Sequence, residues 1–367
     1  MIALQPRGAP PPRWISAAIP VGSVLAAFLL GAGVLAAAGV NPLAVYAALV
    51  GDPFGSAFGL AETIVKATPL ILTALAVLLP VRMRLWNIGA EGQLQFGAIG
   101  ATYAALFTPL GHSPAAVPAV LAVGMGAGAL WALFPAVLRA CLNVNETITT
   151  LLLNYIALLF VDYLIYGPWK DPASRGFPLS ATFPPAARLP VLIPGTRVHL
   201  GFLLALLAVA CVAVILHRTR WGFEIRVIGD NPRAARYAGM NLVRNTLLVM
   251  TIAGALAGLA GVGEASAIAG RLQRGLSPGY GYTAILVAWL ARLDPLVMVL
   301  VAFLLGGLYL GGDALQISFG LPLAVVNMLQ GLIFFFVLGG DVLNGYQLVV
   351  RRPPSRQAKY IRPPARG

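Results

Sequence analysis

The chain alternates long apolar runs with short polar interruptions, and most of the runs are long enough to cross a membrane. A bilayer core needs about 20 mostly apolar residues per helix. Measured against that length, ten runs emerge, at roughly 15–39, 63–81, 87–107, 114–138, 147–167, 198–217, 246–268, 281–291, 295–312 and 321–340. The pattern predicts an all-α, polytopic membrane fold of about ten transmembrane helices. The eighth run is too short to cross alone, so it must tilt, lengthen or form a half-helix, and irregular backbone at that depth has to be sheltered by protein. The first run follows Arg7 and Arg13 and is long for the core of a signal peptide. It reads as a retained anchor, although the alanines at 36–38 leave cleavage open. This organisation gives a short tail over 1–14, a membrane domain over 15–345 and a basic, Pro-rich tail over 346–367.

Two interruptions are long enough to hold structure of their own. Residues 168–197 carry seven prolines, from Pro168 to Pro194, and read as an extended cap with little helix. Residues 218–245 are expected to face the cytosol and hold the stretch TRWGFEIRVIGDNPRAARYAGMNLVRN. Asn231 offers an N-cap, Pro232 suits a first helical turn, and Gly239 stops the helix after about two turns. Arg233 and Arg236 then share one face, while Ala234, Ala235 and Ala238 form a slim apolar side able to enter a groove on another protein. The plainer reading of the same stretch is a solvated loop whose charge simply follows the membrane rule.

Composition narrows the class. The chain has 59% hydrophobic and 10% charged residues, whereas a soluble domain has about 25% charged residues. A net charge of +13 would suit nucleic acid if the 25 Lys and Arg residues were gathered on one surface, but they are scattered through apolar sequence. Placing both termini in the cytosol puts 18 of those 25 on the inner side. The outer set is Lys66, Lys170, Arg175, Arg188, Arg197, Arg271 and Arg274. An error of one span would invert every later loop, so the imbalance favours an even number of crossings. The tail from Arg351 reads as a disordered basic end near anionic lipid. Cys141 and Cys211 lie far apart in or beside apolar runs and read as packing residues.

No source of energy is visible in the chain itself. There is no GxxxxGK[ST] phosphate loop. His112, His199 and His217 are scattered, without metal-ligand spacing, and no Ser/His/Asp arrangement stands out.

Three motifs carry a resemblance: NIGAEGQ at 87–93, NETITTLLLNYIA at 145–157 and GDNPRAARYAGMN at 229–241. In this order, over about 60–345, the chain resembles the membrane permease subunits of bacterial ABC importers for nucleosides and simple sugars, a family that extends to ribose-type and branched-chain amino-acid permeases. NIGAEGQ is similar to the larger of two unlike permeases in nucleoside systems, whose companion carries a related NIG-x-EG-M. The resemblance implies a multi-pass protein of the bacterial inner membrane and a second permease subunit in a heterodimer. It also implies a cytosolic ATPase that holds the ATP and Mg, an extracytoplasmic binding protein or lipoprotein, and no cofactor on this chain. It gives the cytosolic helix a role as well. AARYAG at 234–239 resembles the EAA-type coupling segment that docks on the ATPase, so the coupling set is Asn231, Pro232, Arg233, Ala234, Ala235, Arg236, Tyr237, Ala238 and Gly239. The leading Glu of that motif is absent, Arg233 standing before Ala234.

Polar residues within the apolar runs are the candidate solute contacts. A charge at a helix centre costs about 2.5 to 3.5 kcal/mol on the insertion scale, and less near an interface. Glu91 and Gln95, at i and i+4, project to one side and read in two ways. They line the inner part of a water-filled pathway, or Glu91 bonds Arg82, Arg84 or the free amides of a helix start while Gly89, Gly92, Gly97 and Gly100 let helices approach closely. The architectural reading is favoured. Asn154, Asn327 and Gln330 sit nearer the middle of their runs, where an amide both donates and accepts and so suits sugar hydroxyls or nucleobase edges; interhelical bonding explains them equally well. Asp162 and Glu264 fall toward the outer ends, flanking an entrance or reaching water. Phe96, Trp289 and Phe334 are stacking candidates with a simpler account as packing residues, and Gly254 and Gly258 form a GxxxG seam. Three alternatives remain open: a branched-chain amino-acid permease, an ion-coupled secondary transporter and a membrane enzyme.

Overall fold

The structure is a computed structural model that describes residues 2–6 and 12–350. In chain order the helices are α1 (Arg13–Ala37), α2 (Pro42–Phe54), α3 (Ala57–Arg82), α4 (Ala90–Leu106), α5 (Ala116–Leu142), α6 (Glu146–Tyr166) and α7 (Leu200–Arg218). They continue with α8 (Arg220–Asp230), α9 (Pro232–Tyr237), α10 (Leu242–Val262), α11 (Tyr280–Leu290), α12 (Pro295–Phe319) and α13 (Leu323–Gly345). A π-helical turn, Gly263–Ala269, extends α10. Each of the ten expected runs falls on a helix. Among the described residues seven helices are long and apolar enough to cross a membrane: α3, α5, α6, α7, α10 with its extension, α12 and α13.

Three features depart from the sequence expectation. Helices α2 and α8 were not anticipated, and the end segments are not simple tails. Strand β1 (Ile2–Pro6) pairs antiparallel with β2 (Tyr346–Val350), from Ile2 opposite Val350 to Pro6 opposite Tyr346. Apolar residues in IALQP and YQLVV suit a two-stranded ladder, so the fold is helical with one short ribbon. The expected disordered tail from Arg351 lies outside the described residues.

The described residues divide into two units. One comprises those of Met1–Val45 and Leu321–Gly367, where α1 lies along α13 and Gly340 sits directly on the Ser23 side chain. The other, Tyr46–Gly320, holds most of the bundle. Within it α3 is buried along most of its length, and α10 is wrapped by α3, α4 and α5. Glycines allow that wrapping. A Cβ on Gly97 or Gly128 would run into the backbone of Gly258, one on Gly254 into Gly128, and one on Gly261 into Leu94. The GxxxG pair is therefore a packing seam, as expected for helices that associate without a hydrophobic drive between them.

Non-helical backbone enters the bundle between α3 and α4. At the end of α3 the Arg84 and Leu85 amides bond back to the Val81 and Pro80 carbonyls, at 2.9 and 3.0 Å, with Arg84 at φ 56°. This is a Schellman stop with arginine where glycine is usual. Helix α11 is the half-helix anticipated for the eighth run. Its 11 residues span about 16 Å at 1.5 Å per residue. It starts where the Tyr280 carbonyl meets the Thr73 hydroxyl (3.5 Å) and ends where Arg82 Nη2 donates to the Leu293 carbonyl (2.6 Å), so it runs beside only the second part of α3.

Candidate functional site: a polar junction, a capped arm and a charge cluster

Between α3 and the first turn of α4, the Trp86, Ile88 and Gly92 amides and the Ile88 carbonyl are met by one face of α6. Glu146 Oε1 accepts from the Trp86 amide (3.2 Å) and Thr150 Oγ1 from the Ile88 amide (3.2 Å). One turn further, Asn154 accepts from the Gly92 amide and donates to the Ile88 carbonyl, both at 2.8 Å. Residues 146, 150 and 154 follow the i, i+4, i+8 spacing of a single helix face. The NIGAEGQ and NETITTLLLNYIA motifs are thus two sides of one joint. Within the first motif Asn87 and Gln93 exchange amide hydrogen bonds at 3.1 and 2.9 Å, and Asn87 also accepts from the Gly89 amide. A side chain on Gly92 would press against Asn154 and Trp131.

Glu91 joins this junction to α11. One carboxylate oxygen accepts from the Gly281 amide (2.9 Å) and the Ser277 hydroxyl (3.0 Å), and the other from Gln95 Nε2 (3.3 Å). Gly281 lies in the first turn of α11, where free amides and the helix dipole favour a negative charge. The partner is the helix start that the architectural reading included, and Arg82 is engaged elsewhere. Gly281 also has to be glycine, because a Cβ there would overlap the Glu91 backbone. Glu91, Gln95 and Asn154 are therefore brought together, each 2% exposed or less, with hydrogen bonds directed at protein. Asn327 and Gln330 are in the other unit, on α13, where Asn327 is exposed and Gln330 buried. Sequence reasoning missed Glu146 and Thr150, although a polar stripe at four-residue spacing on an apolar helix was a usable signal.

Two of the aromatic candidates pack against other aromatic side chains. Phe96 stacks on Trp131 with centroids 3.7 Å apart and on Phe160 at 5.7 Å, and Trp289 lies 5.8 Å from Trp86. Cys141 and Cys211 are free and exposed, which corrects their reading as packing residues: each sits on an outward side of its helix. His199 caps α7 by accepting from the Gly201 amide.

On the arm between α7 and α10, the Asn231 side chain accepts from the Arg233 and Ala234 amides, both at 3.1 Å. The Gly239 and Met240 amides close the other end on the Arg236 and Ala235 carbonyls, with Gly239 at φ 77°. The two-turn helix α9 therefore forms as its caps dictate. Its faces differ in one respect from expectation: Ala235 is buried in its own protein, leaving Ala234 and Ala238 outward. Tyr237, its last residue, is 95% exposed. Clefts of about 360 Å³ flank the helix, one including Met83, Leu85, Arg139 and Arg236, the other Phe223, Met240 and Arg244. Helix α8 ties the arm to α10, since Trp221 Nε1 and Glu224 both bond Asn245 (2.7 and 2.9 Å).

Acidic residues near the 168–197 segment are mostly paired. Arg197 forks onto Glu62, Lys66 Nζ lies 2.8 Å from Asp313, and Arg274 lies 3.5 Å from Asp162. The Glu62 carboxylate, through its hydrogen bonds, pushes the Arg197 guanidinium further toward its charged form.

A buried multi-helix bundle with interrupted spans and an exposed two-turn arm defines the chain as a multi-pass membrane permease. Residues 59–338 match the family described as branched-chain amino acid transport system / permease component, and the chain belongs to that family of ABC-transporter permeases. It is 39% identical over 347 residues to the glucose ABC transporter permease protein of Haloferax volcanii, covering 92% of this chain and 91% of that one. It is 34% identical over 323 residues to a guanosine ABC transporter permease protein of Bacillus subtilis, covering 87% and 92%. The nucleoside ABC transporter permease protein of Lactococcus lactis shares 32% over 327 residues, covering 87% and 90%. No solved structure matches.

Proposed function

We propose that this chain forms one half of the translocation path of an ABC importer for nucleosides or related simple sugars, embedded in the bacterial inner membrane. The solute class rests on relatives named for glucose, guanosine and nucleosides, whose common chemistry is a ring bearing adjacent hydroxyls. A second, unlike permease completes the path. Bacillus subtilis supports that pairing, having a further guanosine permease that is 30% identical to this chain over 293 residues. Ten crossings with both termini in the cytosol fit the ten helical runs and the inner excess of basic residues. ATP and Mg²⁺ belong to a cytosolic ATPase, this chain binds no cofactor, and an extracytoplasmic binding protein delivers solute.

The carrying observation is α9, a capped helix with Tyr237 at its tip between two clefts. Exposed aromatic and Arg residues beside pockets are what a docking partner uses as anchors. ATP-driven movement of the ATPase shifts α9, and the bonds of α8 to Asn245 pass that shift to α10. Such coupling requires contacts that differ in free energy between the two states. Glu91, Gln95 and Asn154 hold the inner half of the path in register, while Asn327 and Gln330 are assigned to solute contact from α13.

The test is reconstitution with the ATPase, the second permease and the binding protein. Solute-stimulated ATP hydrolysis is expected, and Tyr237→Ala should lower it about tenfold or more. Uptake driven by an ion gradient in the chain alone would refute the assignment.

A further inference from the structure

We propose that Glu264 is a solute-contact residue in the outer half of the path, its carboxylate accepting hydrogen bonds from adjacent ring hydroxyls of a nucleoside or sugar; the assignment rests on the permease reading above. Glu264 lies in the π-helical turn that extends α10, and such turns are frequent at functional sites. The turn is anchored on its other side by Ser266, which donates to the Ala187 carbonyl (2.7 Å) and accepts from the Leu189 amide (3.1 Å).

What sets Glu264 apart is the absence of a partner. Glu62, Asp162 and Asp313 each have a cation within 4.0 Å, and Glu91 has three hydrogen bonds. Among the described residues neither a hydrogen bond nor an ion pair reaches Glu264, although it is only 7% exposed. Lys66 and Arg197 lie within electrostatic reach but are bound to other acids. Nor is the carboxylate sealed off, since the fully enclosed unpaired side-chain atoms are Arg82 Nε and Trp131 Nε1. A buried carboxylate that forgoes available bonds is costly unless something else binds it.

The neighbourhood suits a hydroxylated ring. A carboxyl group carries acceptor sites on two oxygens and so matches two adjacent hydroxyls. Tyr280, within electrostatic reach of Glu264, meets Tyr309 edge to face at 5.7 Å, and Tyr309 shares a 2.6 Å hydrogen bond with Thr283. Tyr280 thus brings an aromatic ring into the neighbourhood of the acid.

Two measurements on the assembled transporter test the proposal. The first compares guanosine with 2′,3′-dideoxyguanosine, and glucose with 2-deoxyglucose, in wild type and Glu264→Gln. The preference for the hydroxylated member should fall about ten- to a hundredfold. The second labels Glu264→Cys, in a chain with Cys141→Ser and Cys211→Ser, with a small thiol reagent, and guanosine or glucose should slow the labelling. Equal loss for both members of each pair, or labelling that is absent or indifferent to solute, overturns the assignment and leaves the permease reading standing. A wild-type assembly that takes up neither guanosine nor glucose overturns both.

Discussion

Glu91 is bonded to protein through both carboxylate oxygens, whereas among the described residues neither a hydrogen bond nor an ion pair reaches Glu264, which is also buried. Both are acids on apolar helices, and both were visible as anomalies in the sequence. The first is held by a helix start and a hydroxyl, in a joint where α4, α6 and α11 meet. The second sits where Lys66 and Arg197 are already committed to Asp313 and Glu62. Hydrocarbon offers no water to rescue an unmet hydrogen bond, so a satisfied cluster locks helices together and an unsatisfied one is open to a ligand. The contrast separates residues that keep the path in shape from those that meet what passes through it.

Stability measurements on the purified protein can break or sharpen this contrast. The largest effect is expected for Asn154→Leu, which strands the Gly92 amide and the Ile88 carbonyl in the interior. A loss of about 2 to 5 kcal/mol follows from two unmet backbone groups, to be read as a lower melting temperature and poor assembly. Glu91→Gln keeps the shape but turns an amide toward donors that expect an acceptor. It should cost about 1 to 3 kcal/mol, with uptake per assembled complex close to wild type; a specific loss of uptake would return Glu91 to the solute path. The smallest change is expected for Glu264→Gln, which keeps the side-chain shape and breaks no hydrogen bond or ion pair among the described residues. Its melting temperature should stay within the shift that about 1 kcal/mol produces, or rise. A clear fall would show that Glu264 has a structural partner and would dissolve the contrast.

Much of the scaffold was legible because it is written locally. Hydropathy located every long helix, and the caps Asn231 and Gly239 fixed both ends of α9, since a cap acts on amides two or three residues away. The GxxxG of Gly254 and Gly258 announced a seam. Helix α2 escaped because it is short and contains Pro53, and α8 because it is amphipathic instead of apolar. Its start was nevertheless signalled by Thr219, whose hydroxyl accepts from the Gly222 amide. The end ribbon was missed because five-residue strands carry little signal apart from the partner that pairs with them.

The sequence by itself determined that this is a membrane-spanning helical permease with a capped two-turn arm, because hydropathy, capping and small-residue spacing act over a few residues. Only the tertiary structure decided what each buried polar group does. Asn154 meets Ile88 across 66 positions and Glu91 meets Gly281 across 190, separations at which no periodicity operates. Whether an acid in an apolar helix is a brace or a binding group depends on which donors the folded chain brings within about 3 Å of it.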